Sequence, residues 1–117
     1  MKNYSIGHVD GVRSEFHQKL GLTGAEVSIN HLEKGAGVPF VHSHKENEEI
    51  YIITDGHGIL NIDGEKLEIK KGDVIKITPN GKRQFMASKE DEMSYVCIQV
   101  KENSLESYTA TDAVLDN

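Results

Sequence analysis

From Ala25 to Lys101 the chain is cut every few residues by glycine-bearing turns, and no uninterrupted stretch carries a helical apolar period. That leaves extended segments as the only regular structure this stretch can build. Val27, Ile29 and His31 share one parity and Glu26, Ser28 and Asn30 the other, the period-two pattern of a half-buried strand. Gly35-Ala36-Gly37-Val38-Pro39 ends it, and Phe40, His42 and His44 fall on one face of a short extended segment. Glu49 to Thr54 reads as a strand, Asp55-Gly56 as a turn and Gly58 to Ile62 as another strand. Asp63-Gly64 is a tight-hairpin signal, with Lys66 to Lys70 as the return strand. After Lys71-Gly72-Asp73, strands are expected at Val74 to Thr78, Gln84 to Ser88 and Met93 to Lys101, the first two separated by Pro79-Asn80-Gly81. Seven or eight short strands predict an all-β sandwich or barrel.

Length and composition bound the function. The 117 residues suit a single domain, with a core over about 25–101 and flanking segments at 1–24 and 102–117. The flanks are weakly patterned, so irregular structure with one short strand or turn of helix is expected in the first, and a tail in the second. At 37% hydrophobic residues the core is small, and a second subunit pairing with the ends would complete it, so a homodimer is expected. Nineteen acids against thirteen bases give a net charge of −6, which argues against nucleic acid or an anionic membrane as partner. Cys97, the single cysteine, makes neither an internal disulfide nor a thiolate zinc cage. Residues 1–8 lack the apolar region of a signal peptide and no run is long enough to span a bilayer, so a cytoplasmic protein is expected.

The chemistry concentrates between Gly37 and Gly56. On an extended chain, His42 and His44 project from the same face, so two imidazoles can reach one ion. Glu49 opens the next strand after a short loop and can return a carboxylate to the same point; Glu48 is the competing acid. Two histidines and a carboxylate leave open positions on a divalent metal.

This stretch resembles the first motif of the cupin superfamily: His-x-His, four residues, Glu49, six residues, Gly56. The second motif of that family is Gly, five residues, Pro-x-Gly, two residues, His, three residues, Asn. Gly72 to Ser88 is similar, with Pro79-Asn80-Gly81 intact but six residues between Gly72 and Pro79. Counted from Pro79, the histidine position holds Gln84 and the asparagine position Ser88. The resemblance implies a double-stranded β-helix, the jelly-roll barrel of the cupin fold. It implies a divalent ion, whether Zn, Ni, Mn or Fe, on His42, His44, Glu49 and Gln84. Gln84 would be a weaker donor than imidazole for zinc.

Parity nominates walls for a ligand pocket: Phe40 beside His42 and His44, Tyr51 and Ile53 beside Glu49, and Met86 beside Gln84. Cys97, in an apolar strand, reads as a small buried hydrophobe. His31 reads as a satisfied or pocket-lining histidine, and His8, His17 and His57 as surface. Lys82 and Arg83 read as a solvated turn, with attraction of an anionic substrate as the alternative.

The resemblance leaves several functions open. The first is a metal-dependent enzyme, such as an isomerase or epimerase, acting on a small oxygenated metabolite, a sugar or carboxylate, with the metal as Lewis acid. The second is a non-catalytic small-molecule binder or sensor. The third is an Fe(II)-dependent dioxygenase.

Overall fold

A computed structural model describes residues 2–116. Its elements in chain order are β1 (Arg13–Glu15), α1 (His17–Leu20), β2 (Glu26–Leu32), β3 (Asn47–Ile62), β4 (Glu65–Lys70), β5 (Val74–Ile77), β6 (Arg83–Ala87), β7 (Met93–Lys101) and a 3-10 turn at Thr109–Thr111. Every strand pairing is antiparallel. The architecture is the expected all-β double-stranded barrel. Among the described residues, no helix is long and apolar enough to cross a membrane.

The barrel is organised by β3, which belongs to two sheets. Its first part pairs with β7 on one edge and with β5 on the other, extending one sheet through β2 to β1. Its second part pairs with β4 and β6. Between the two, the β3–β7 register shifts at Ile53/Asp55. Asp55-Gly56, expected as a turn, is this irregularity inside one continuous strand. Gly56 has φ 72, and a Cβ there would sit 1.7 Å from the Glu92 carbonyl oxygen, so only glycine lets the strands approach. The next connection is the expected tight hairpin. Asp63 and Gly64 both have positive φ, as a type I′ turn demands, and Ile62 pairs with Glu65.

The core is Tyr51, Ile53, Leu60, Ile69, Ile77, Phe85, Ala87, Met93, Tyr95 and Cys97. Phe85 stacks on Tyr95 at 5.4 Å and meets Tyr51 at 4.3 Å between ring centroids. These rings form the floor on which the site rests.

The first flank is more ordered than its composition suggests. Glu26 Oε1 accepts hydrogen bonds from the backbone amides of Phe16 and His17, satisfying donors at the start of α1. Gly21, left-handed at φ 68, ends that helix. Ser14 is buried and exchanges hydrogen bonds with the Asp10 backbone, and the His31 amide donates to Val12 O, fixing β1 against β2.

Candidate metal centre and its cavity

The strand alternation of β3 turns Glu49, Tyr51 and Ile53 inward. Glu49 is 2% exposed, whereas Glu48 is only half-buried on the opposite face. The 36–42 segment runs along the free edge of β6: Val38 N donates to Phe85 O, and His42 and Arg83 exchange backbone hydrogen bonds. That pairing swings His42 and His44 over Glu49. His44 Nε2 lies 3.2 Å from Glu49 Oε2 and His42 Nε2 3.8 Å from Oε1. One ligating atom from each of the three side chains falls within 4.8 Å of the others.

Two atoms test whether this trio suits a cation. His42 Nδ1 and His44 Nε2 are buried and lack a hydrogen-bond partner. The His44 contact to Glu49 is close but not aligned as a hydrogen bond. Buried polar atoms are seldom left unpaired, and neutral imidazole nitrogens are suited to accept a metal. Burial holds the His42 imidazole below its ordinary pKa, outweighing the Glu49 charge, which favours the neutral, ligating form. The donor set therefore fits a divalent ion held by His42, His44 and Glu49.

Glu49 is also heavily engaged from below. Its Oε1 accepts from Tyr51 Oη at 2.5 Å and from Arg83 Nη1 at 2.6 Å, while Oε2 accepts from Cys97 Sγ at 3.3 Å. Burial alone would push this carboxyl up. The hydrogen bonds from Tyr51, Arg83 and Cys97, with the His44 charge, outweigh it and hold Glu49 below the usual carboxylate range. Burial and the adjacent carboxylate push the Tyr51 phenol up, and the Cys97 thiol up to about 12. Oε2 is thus the less engaged oxygen, and it faces the His44 imidazole.

Arg83 is the residue that sequence reasoning misplaced. It is fully buried, and besides Glu49 it donates to the carbonyls of Thr78, Pro79 and Gly81. The solvated-turn reading fails because the guanidinium itself closes the 78–81 turn from inside. Along β6 the buried residues are Arg83, Phe85 and Ala87, which places Gln84 and Met86 on the other face. Gln84, expected as fourth ligand, donates its amide to Val38 O at 2.7 Å and lines the cavity from there. Met86 is replaced as a wall by Phe85. One signal for this was present: counted from Gly72 rather than Pro79, the second motif places its histidine at 83.

Over the trio lies a cavity of about 460 Å³. Of the expected walls, Phe40 and Tyr51 line it, with the Phe40 ring 5.7 Å from that of His42. Ile53, 1% exposed, belongs to the core beneath rather than to the lining. The β2 face turned to the cavity is Ser28 and Asn30, both buried, while Val27 and Ile29 are only half-buried. The interior is polar here because it borders a cavity. His31 lines the rim and is satisfied, with Nδ1 2.8 Å from Ser94 Oγ and Nε2 3.0 Å from Glu92.

Comparison with known proteins agrees with this construction. A crystal structure of a cupin protein from Bacteroides fragilis is 57% identical over 100% of both chains, with a TM-score of 0.96. A sugar phosphate isomerase of the cupin superfamily from Silicibacter pomeroyi is 22% identical, with a TM-score of 0.67 over 77% of this chain and 60% of that one, a likeness of fold alone. An uncharacterized protein of Methanocaldococcus jannaschii is 51% identical over 39 residues, which span 33% of this chain and 31% of that protein. Residues 28–99, more than half of the chain, match the cupin domain family Cupin_2, and the chain belongs to that family.

Proposed function

We propose that this cupin holds a divalent metal ion on His42, His44 and Glu49 and binds a small oxygenated metabolite in the cavity above it. The observation that carries the reading is the His42, His44 and Glu49 trio, one ligating atom of each within 4.8 Å of the others, with the buried, unpartnered His44 Nε2 3.2 Å from the carboxylate. When bound, the ion would act as a Lewis acid toward an oxygen of the ligand. The chain's own residues do the rest. Tyr51, Arg83 and Cys97 orient Glu49 and keep it ionised. Phe40, Val38 and Leu32 give the cavity apolar walls that exclude water from the ligand. Gln84 positions the 36–40 segment through Val38 rather than serving as a principal donor.

The test is titration of metal-free protein with Zn²⁺, Ni²⁺, Mn²⁺ and Fe²⁺, for wild type, His42→Ala and His44→Ala. Each substitution should abolish binding, because it removes one of only two imidazole donors. If His42→Ala binds metal as wild type does, the reading fails.

One observation favours a second reading, a binder without turnover. Glu49 accepts three hydrogen bonds, and both the Tyr51 phenol and the Cys97 thiol are held protonated, so these three groups are poor candidates to move a proton. Turnover of a sugar phosphate, the substrate class named for the Silicibacter pomeroyi protein, against tight binding without conversion separates the two.

The chain acts as one domain, with the flanks joining a second copy in a homodimer. Support comes from the large apolar side chains they leave exposed, among them Tyr4, Ile6, Leu105, Tyr108 and Leu115. Sedimentation equilibrium at micromolar concentration checks it; a monomer is the contrary result.

A further inference from the structure

The cavity carries a second polar station, built by the N-terminal flank that lies outside the family match at 28–99. Arg13 of β1 is the direct cross-strand partner of Asn30 on β2, and Asn30 in turn is that of Tyr95 on β7. Directly opposed residues present their side chains on one face. That face is the cavity's, since Arg13, Asn30 and Tyr95 all line it. The next row inward contains Ser28, Cys97 and Tyr51, and the row after that Gln99 and Glu49. Arg13 therefore stands two rows along and three strands across from Glu49, on the lining of the same cavity.

The guanidinium is aimed rather than loose. Arg13 Nη1 donates to Asn30 Oδ1 at 2.5 Å. Asn30 is buried, and its amide nitrogen donates to Ser28 Oγ at 3.0 Å, which turns its carbonyl toward Arg13. The remaining carboxylate contact, Glu15 at 3.3 Å, joins two side chains more than half exposed. An exposed pair of this kind is worth little and is readily given up. Charge balance points the same way. Among the cavity-lining residues Glu49 is the one carboxylate, and buried Arg83 already neutralises it.

We infer that the cavity selects a small metabolite bearing an anionic oxygen group, carboxylate or phosphate, that binds to Arg13 while the ligand's other end faces His42, His44 and Glu49. The inference rests on the cavity being the ligand site proposed above, and it narrows the ligand from oxygenated to anionic.

The experiment is calorimetric titration of zinc-loaded protein with malonate, succinate and glutarate against their neutral diamides, and with glycerol 3-phosphate against glycerol. The acids should bind wild type at least tenfold more tightly than their neutral counterparts, and the stronger of the two arms identifies the group as carboxylate or phosphate. Arg13→Gln should lose about 10- to 100-fold in affinity for the preferred anion, the scale of a charge-assisted hydrogen bond, with the neutral compounds unchanged. Arg13→Lys should retain part of the preference. Circular dichroism verifies that both variants fold.

The inference is overturned if Arg13→Gln binds the anions as wild type does, or if no acid outbinds its neutral partner. A separate zinc titration keeps the two ideas apart. Arg13→Gln should still bind zinc and His42→Ala should not. A normal His42→Ala zinc titration would sink the metal reading, whatever Arg13 does.

Discussion

Arg83 Nη1 and Glu49 Oε1 lie 2.6 Å apart, and neither side chain reaches solvent. The carboxylate proposed as a metal ligand thus shares its charge with a buried cation, so the same residue would serve both the fold and the site. Charges this deep are tolerated only because each is matched and hydrogen-bonded.

Removing the cation alone should be severe. Arg83→Met leaves Glu49 buried beside no countercharge and strips the donor from three turn carbonyls. A loss of about 3–5 kcal/mol is expected, the usual cost of breaking a buried pair. Adding Glu49→Gln should recover part of it. Urea denaturation of the singles and the double gives the coupling; a cost below about 1 kcal/mol for Arg83→Met would contradict the assignment.

Metal affinity should respond to position 83 and not to position 84. Arg83→His exchanges a repelling cation for an imidazole on the inward face, and should raise affinity for Zn²⁺ or Ni²⁺ by about tenfold or more. Gln84→His places its imidazole on the opposite face of β6 and should leave affinity within about threefold of wild type. Competition with a chromogenic chelator measures both, and the reverse ranking would restore Gln84 as the ligand position.

Gly56→Ala should destabilise the protein by about 2–4 kcal/mol or prevent folding, because positive φ and a backbone clash coincide there. Gly64→Ala, with positive φ but no atom within 4 Å of its Cβ, should cost only about 1 kcal/mol. Thermal melts of the two variants compare them directly.

Acid should weaken the metal-free protein in a defined direction. Glu49 has a folded pKa below its ordinary 4.5, so the unfolded chain binds its proton first as pH falls. Its contribution is complete above that ordinary value and is lost as pH drops through the lower folded one. His42, held below 6.5, acts in the same sense at higher pH. Stability measured in chelator should therefore decline from about pH 6.5 downward. Glu49→Gln, though less stable at neutral pH, should show a shallower decline below pH 4.5.

Cys97 should resist thiol reagents in the native state. It is 6% exposed and its thiol is pushed up to about 12, so the thiolate fraction at pH 8 falls about a thousandfold relative to a free cysteine. Reaction with a disulfide reagent should be slow until urea unfolds the chain; rapid native labelling would contradict the burial.

The barrel and the clustering of His42, His44 and Glu49 could be read from the chain because local signals agreed. Met93 to Lys101 alternates cleanly and is β7 to the residue, and Asp63-Gly64 can adopt little other than the hairpin it makes. His42, His44 and Glu49 follow from a same-face pair and a short return. On β6 two anchors conflict, since Gly72 and Pro79 count to different residues, and a strand's faces exchange with a slip of one. Anchoring on Pro79 put Gln84 and Met86 inward, where Arg83 and Phe85 stand. Arg83 was hidden further by its charge, because arginine is rarely buried unless paired, and its partner lies 34 residues away. Ser28 and Asn30 misled in the opposite sense, since polar side chains point inward only where a cavity receives them.

The sixteen-residue β3 has an evolutionary consequence. A residue inserted before the Ile53/Asp55 irregularity would re-register one sheet, and one inserted after it would re-register the other, so neither half can change length without reversing which side chains face the ligand. Drift in loop length among relatives should therefore collect at the exposed Lys89-Glu90 connection, and β3 should behave as the ruler against which every other strand is measured.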